Sequence, residues 1–148
     1  MKQTLLAACE VELIKTIKAD PNMMLPLRLK CTQCQEEYHN LIMLDPSETH
    51  PIKNSRGEAH VVLGCKFCKK DANIELIEFL EYNVEEPVNG EIEFPFAKLE
   101  SRGCEIIGCE PQGPFIINNI EADLSDDWIE VLDSGECLQV FNLKGSVK

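Results

Sequence analysis

The chain has 148 residues, 44% hydrophobic and 27% charged, the size of one ordinary domain that can bury a sizeable core without disulfide staples. Lys and Arg number 14 against 26 Asp and Glu, so the formal charge is −12, a surface that repels phosphate backbones and anionic membranes. No apolar run approaches the roughly 18 to 20 residues a bilayer span needs, and Glu10 and Glu12 cut the apolar N-terminus too early for a signal-peptide core, so a cytoplasmic protein (or a nuclear one) is expected.

Leu5, Ala7, Cys9, Val11 and Leu13 sit at alternate positions, the period of a strand with one buried face. Leu6, Leu13, Ile14 and Ile17 also lie near a helical stripe, but the long alternation favours a strand over Thr4 to Lys18. After the turn signal Asp20-Pro21-Asn22, Leu25, Leu27, Leu29 and Cys31 alternate again. Pro26 has no N–H, which puts this second strand at a sheet edge or a bulge.

Asp45 to Gly57 is polar and turn-rich and reads as a surface loop, followed by a short strand over Ala59 to Leu63. Asp71 to Tyr82 is the one stretch where a helix competes seriously: Ile74, Ile77 and Leu80 have helical spacing, whereas Ile74 and Leu76, then Ile77 and Phe79, alternate. Ile92, Phe94 and Phe96 alternate strictly, and Pro95 on the opposite face is a second hint of an edge. Gly103, Gly108, Pro111, Gly113 and Pro114 then punctuate short strands and tight turns. Trp128 follows an acidic knot and is expected to anchor in the core, and Cys137 to Leu143 is the last strand. Turn signals about every 10 residues, without helix–strand alternation, predict a single all-β domain over residues 1–148, antiparallel and sandwich-like with little helix.

The eight cysteines carry the chemistry. In a reducing compartment a disulfide framework is disfavoured, leaving metal binding, redox chemistry or burial. Cys31-Thr32-Gln33-Cys34 and Cys65-Lys66-Phe67-Cys68 are two C-x-x-C pairs separated by 30 residues. Zinc holds each sulfur at about 2.3 Å, so two ligands stand about 3.8 Å apart, a separation that a two-residue spacer bending over the metal delivers. Two such turns complete a tetrahedron, and Cys31, Cys34, Cys65 and Cys68 are the predicted ligands of one zinc in a zinc-ribbon-like site. The long gap adds well under about 1 kcal/mol of loop-closure cost, small beside the roughly 10–16 kcal/mol of structural zinc binding.

Four cysteines fill every position that a catalytic zinc would leave open for water, so a structural role is expected and no catalytic residue is assigned. His39 and His60 each lie five residues from a cysteine pair and could replace a sulfur, but the thiol set is preferred. Lys30, Lys66, Lys69 and Lys70 flank the pairs and either offset the net −2 of zinc with four thiolates or simply solvate the turns. Cys9, Cys104, Cys109 and Cys137 read as buried small hydrophobes, and His50 as a solvated loop residue.

Lys30-Cys31-x-x-Cys34, Gly64-Cys65-Lys66-x-Cys68, Glu100-Ser101-Arg102-Gly103 with Glu110-Pro111, and an acidic stretch around Trp128 follow in one order. Together they resemble the eukaryotic CXXC-motif-containing zinc-binding protein family over nearly the whole chain. The resemblance implies one zinc on Cys31, Cys34, Cys65 and Cys68 in a mostly β, cytosolic domain, and it carries over no catalytic residues. The expected function is a zinc-stabilised adaptor, a monomer with an unknown protein partner, binding neither nucleic acid nor membrane. The alternative is a thiol redox or metal-handling protein using the same cysteines.

Overall fold

Alternating apolar residues drive about two thirds of the chain into strands. The computed structural model describes residues 1–148 and contains no helix. Its strands are β1 (Lys2–Ala19), β2 (Leu25–Cys31), β3 (Ile42–Leu44), β4 (His50–Pro51), β5 (Glu58–Ala59), β6 (Val61–Gly64), β7 (Asp71–Phe79), β8 (Glu81–Arg102), β9 (Cys104–Cys109), β10 (Pro114–Ile117), β11 (Ile120–Asp123), β12 (Trp128–Val131) and β13 (Cys137–Val147). The larger sheet has eight strands in the order β11-β10-β1-β8-β7-β6, with β13 on the stretch of β1 that β10 leaves free and β12 outside it. A smaller sheet orders β3-β2-β9, and every pairing in both sheets is antiparallel. One cluster of 28 buried residues draws on both sheets, from Leu5, Phe94 and Phe96 of the larger to Leu27, Leu29 and Ile106 of the smaller.

The places where the sequence read as part helix are phase breaks in long strands. In β1 the buried face runs Leu5, Ala7, Cys9, Val11 and then shifts to Ile14 and Ile17. The shift occurs at Leu13, which has φ 57° and lies in an irregular register between Val11 and Ile14. Leu13 is therefore only half-buried, where strict alternation placed it inside. In β7 the step from Leu76 to Glu78 matches a single step from Leu99 to Lys98, so Ile77 is the extra residue of a bulge and is exposed. That extra residue converts a period-two pattern into the helical spacing of Ile74 and Ile77.

A bulge frees backbone groups, and remote side chains take them up. Asn118 Oδ1 accepts the N–H groups of Lys15 and Thr16 at 2.8 and 3.0 Å, while its amide donates to the Leu13 carbonyl at 3.0 Å. Asn89 Oδ1 accepts the Leu13 N–H at 2.9 Å. His60 Nδ1 accepts the Leu76 N–H beside the second bulge, also at 2.9 Å.

Several local expectations need correction. Pro26 does not mark an edge, because β2 is the middle strand of its sheet. Its carbonyl faces Glu110, just past the end of β9, so its missing N–H falls where the ladder stops, and the bulge lies further on between Arg28 and Leu29. Pro95 also sits in an interior strand, at a step where Leu5 and Leu6 oppose Ala97 and Pro95 and Phe96 is the extra residue. The Asp45–Gly57 loop contains strand β4, which pairs with β5 as His50 with Ala59 and Pro51 with Glu58. Cys137 and Trp128 lie on the outer β12–β13 pair and are half-buried rather than core.

The two sheets approach closely where β13 packs against β9. A Cβ on Gly145 would overlap the Cys109 carbonyl oxygen and lie 2.8 Å from the Cys109 sulfur. Only glycine lets the backbones meet there.

Asn118→Ala is expected to lower stability by about 2 kcal/mol, since it strands three backbone hydrogen bonds in β1. A urea midpoint unchanged from the parent chain would refute this role.

Candidate metal centre

β2 ends in the first cysteine pair, and the second pair follows β6 directly. The two turns are closed by the same pair of hydrogen bonds. The Cys31 N–H donates to the Glu36 carbonyl at 2.9 Å, and the Gln35 N–H returns to the Cys31 carbonyl at 3.1 Å. In the second turn Cys65 donates to Lys70 at 2.9 Å and Lys69 returns to Cys65 at 3.0 Å. Gln35 and Lys69 both adopt the left-handed region, with φ of 65° and 66°, which reverses the chain just past the second cysteine.

These turns bring together the four predicted sulfurs. Cys31 Sγ lies 3.5 Å from Cys68 Sγ and Cys34 Sγ 3.6 Å from Cys65 Sγ, so each close pair takes one sulfur from each turn. All four sulfurs lie within 4.8 Å of one another. A tetrahedral zinc needs sulfur separations of about 3.8 Å, which this arrangement meets with small adjustments. Four soft thiolates in a tetrahedral set suit zinc over hard cations. The cluster has the ligands and the spacing to hold a single zinc.

The backbone prepares the sulfurs for the cation. The N–H of Cys34 bonds the Cys31 sulfur, and with a second from Gln33 it outweighs burial and lowers that thiol to about 6. Cys65 is lowered in the same way, by the N–H groups of Cys68 and Phe67. Cys34 accepts the Glu36 N–H, but burial and its bonds to the neighbouring sulfurs raise it to about 12. Each turn therefore favours a thiolate at its first cysteine, and the divalent cation supplies the attraction that deprotonates the rest.

The flanking residues serve other ends. Lys30 pairs with Glu105 at 3.6 Å and Lys69 Nζ donates to the Lys66 carbonyl at 3.3 Å, so neither salt-links a sulfur. His60 is committed to the β7 bulge, and His39 packs against Phe67 with ring centroids 5.5 Å apart. Neither histidine belongs to the cluster. His50 is exposed near Glu48. Cys9, Cys104 and Cys109 are buried, and desolvation raises their thiols to about 11, 11 and 12.

Sequence reasoning missed what joins the turns. Gly103, between β8 and β9, has φ 79° and accepts the Thr32 N–H of the first turn at 3.2 Å. A Cβ there would overlap the Asp71 carbonyl, at the start of β7 beyond the second turn, and lie 3.1 Å from Ala72 Cα. Gly103 thus meets the first turn on one side and, on the other, the strand that leaves the second turn. The next residue, Cys104, stands opposite Cys31 in the β2–β9 ladder and sets a fifth thiol behind the ligands.

The family model described as "CXXC motif containing zinc binding protein, eukaryotic" matches residues 4–148. The chain belongs to that family. The fission yeast member, from Schizosaccharomyces pombe and named UPF0587 protein C2D10.03c, is 31% identical over 140 residues, 88% of this chain and 85% of its own. The human CXXC motif containing zinc binding protein is 29% identical over 98 residues, 65% of this chain and 59% of its own. The fold recurs in the crystal structure of C1orf123, with TM-score 0.85 and 21% identity across 100% of this chain and 99% of that one. A hypothetical protein from Plasmodium falciparum matches with TM-score 0.83 and 19% identity over the same shares.

For this family member, Cys34→Ser is expected to abolish stoichiometric zinc and yield an aggregated or poorly folded chain. Zinc-coupled folding of roughly 10–16 kcal/mol rivals the whole stability of a typical domain, about 5–15 kcal/mol. A soluble variant with an unchanged melting temperature would contradict this. Gly103→Ala is expected to cost about 3–5 kcal/mol through strain and overlap, read by thermal melting of the zinc-loaded protein. Lys69→Gly should raise the melting temperature slightly, since it relieves about 1 kcal/mol of left-handed strain.

Proposed function

We propose that the zinc is structural and that the chain is a non-enzymatic adaptor, a platform for a protein partner in the reducing interior of the cell. The observation that carries this reading is the full thiol set. All four tetrahedral positions are offered by the chain itself, which leaves none for a water or a substrate. Three of the four remaining thiols lend it support, because Cys9, Cys104 and Cys109 are desolvated and raised, the opposite of an activated nucleophile. The formal charge of −12 disfavours nucleic acid as the partner.

The surface next to the metal supports the adaptor role. Phe67, the third residue of the second C-x-x-C, is 52% exposed, a large ring held in solvent by a turn that the zinc would rigidify.

The test is affinity capture from cell extract with zinc-loaded chain, compared with Phe67→Ala. A stoichiometric protein partner retained by the parent and lost with Phe67→Ala is the expected result. X-ray absorption should find four sulfur ligands; fewer would point to an open catalytic site. Prompt zinc loss with disulfide formation under mild peroxide would favour thiol redox chemistry instead.

A further inference from the structure

Beside the second cysteine turn lies a cavity of about 60 Å³, room for a head group of a few heavy atoms and too small for a free metabolite of ordinary size. Its lining is mainly apolar and includes Tyr38, His39 and Phe67, with the exposed acidic residues Glu36 and Glu37 at its border. The His39 and Phe67 rings pack with centroids 5.5 Å apart and planes tilted by 58°. Cys65 also borders the cavity, so a zinc bound by the four thiolates would set a net −2 against it. Lys66 is the one cationic side chain in the lining.

Aromatic faces, two carboxylates and a doubly negative centre attract the same kind of guest. We propose that this cavity receives the ammonium group of a lysine side chain, free or methylated, presented by a protein partner. The inference rests on the adaptor reading for the source of the lysine. The chemistry is that of the cavity itself. An ammonium held over the rings gains cation–π attraction, and its aliphatic stem can lie along the exposed ring of Phe67. A protein-borne side chain fits better than a free ligand, because the space takes a tip and not a whole molecule. The acidic face formed by Glu10, Glu91 and Glu93 on β1 and β8 has comparable charge but no aromatic ring in its lining, so it provides an internal control.

The test is an amide NMR titration of the zinc-loaded full chain with short blocked peptides. These carry one lysine, one trimethyl-lysine, or the neutral isostere with carbon in place of nitrogen. Tetramethylammonium chloride is a fourth probe, with sodium chloride as the ionic-strength control. The expected result is shifts centred on Tyr38, His39 and Phe67, with the neutral isostere at least tenfold weaker. Phe67→Ala should weaken the lysine peptides at least tenfold with zinc content unchanged. Glu37→Gln, which leaves the rings in place, should weaken them severalfold.

Equal binding of the neutral isostere, shifts centred on Glu10 and Glu91, or silence from all probes would overturn the proposal. So would binding of tetramethylammonium with no binding of either lysine peptide. Silent probes beside a successful partner capture would sink the cavity alone; bound peptides beside a failed capture would sink the adaptor reading.

Discussion

The attraction of four sulfurs for one cation organises one end of this molecule. β2 belongs to the smaller sheet and β6 to the larger, and each runs into a cysteine turn. Closing both turns on one ion ties the two sheets where the chain between them is long and polar. Backbone N–H groups aimed at Cys31 and Cys65 hold down part of the deprotonation cost before the metal arrives. The thiols that point into the core carry no such donors and are raised by burial. Identical side chains thus divide into ligands and core residues according to their local backbone.

The same division explains what the sequence made legible. The ligand set follows from spacing alone, because a C-x-x-C turn is a local structure whose geometry needs no knowledge of the rest. The all-β class follows from alternation in Leu5 to Val11 and Ile92 to Phe96. The ambiguous stretches are informative for the opposite reason. Leu13 and Ile77 break the period because each lies at an irregular step of its ladder, and what makes the step at Leu13 tolerable is remote: Asn118 and Asn89 lie far away in sequence, whereas His60 lies 16 residues before Leu76. No local window contains both halves of such an arrangement.

The prolines misled for a related reason. A missing N–H excludes a position from a regular ladder, and an edge is only one place where that condition holds. Pro26 lies where β9 ends, and Pro95 lies at a bulge between two long strands. The role of Gly103 was hidden similarly: its sequence signal is a glycine before Cys104, while the reason for it is the approach of Asp71 from beyond the second turn.

The close approach at Gly145 has a mechanical consequence. β9 starts at Cys104, opposite the ligand Cys31, and ends at Cys109, beneath the glycine. Five residue steps, about 17 Å, separate these ends. One end lies in register with a cysteine of the metal cluster and the other rests main chain on main chain, so β9 is held near both ends. Any side chain placed at 145 would act as a wedge, and the strain would travel along β9 toward the sulfurs.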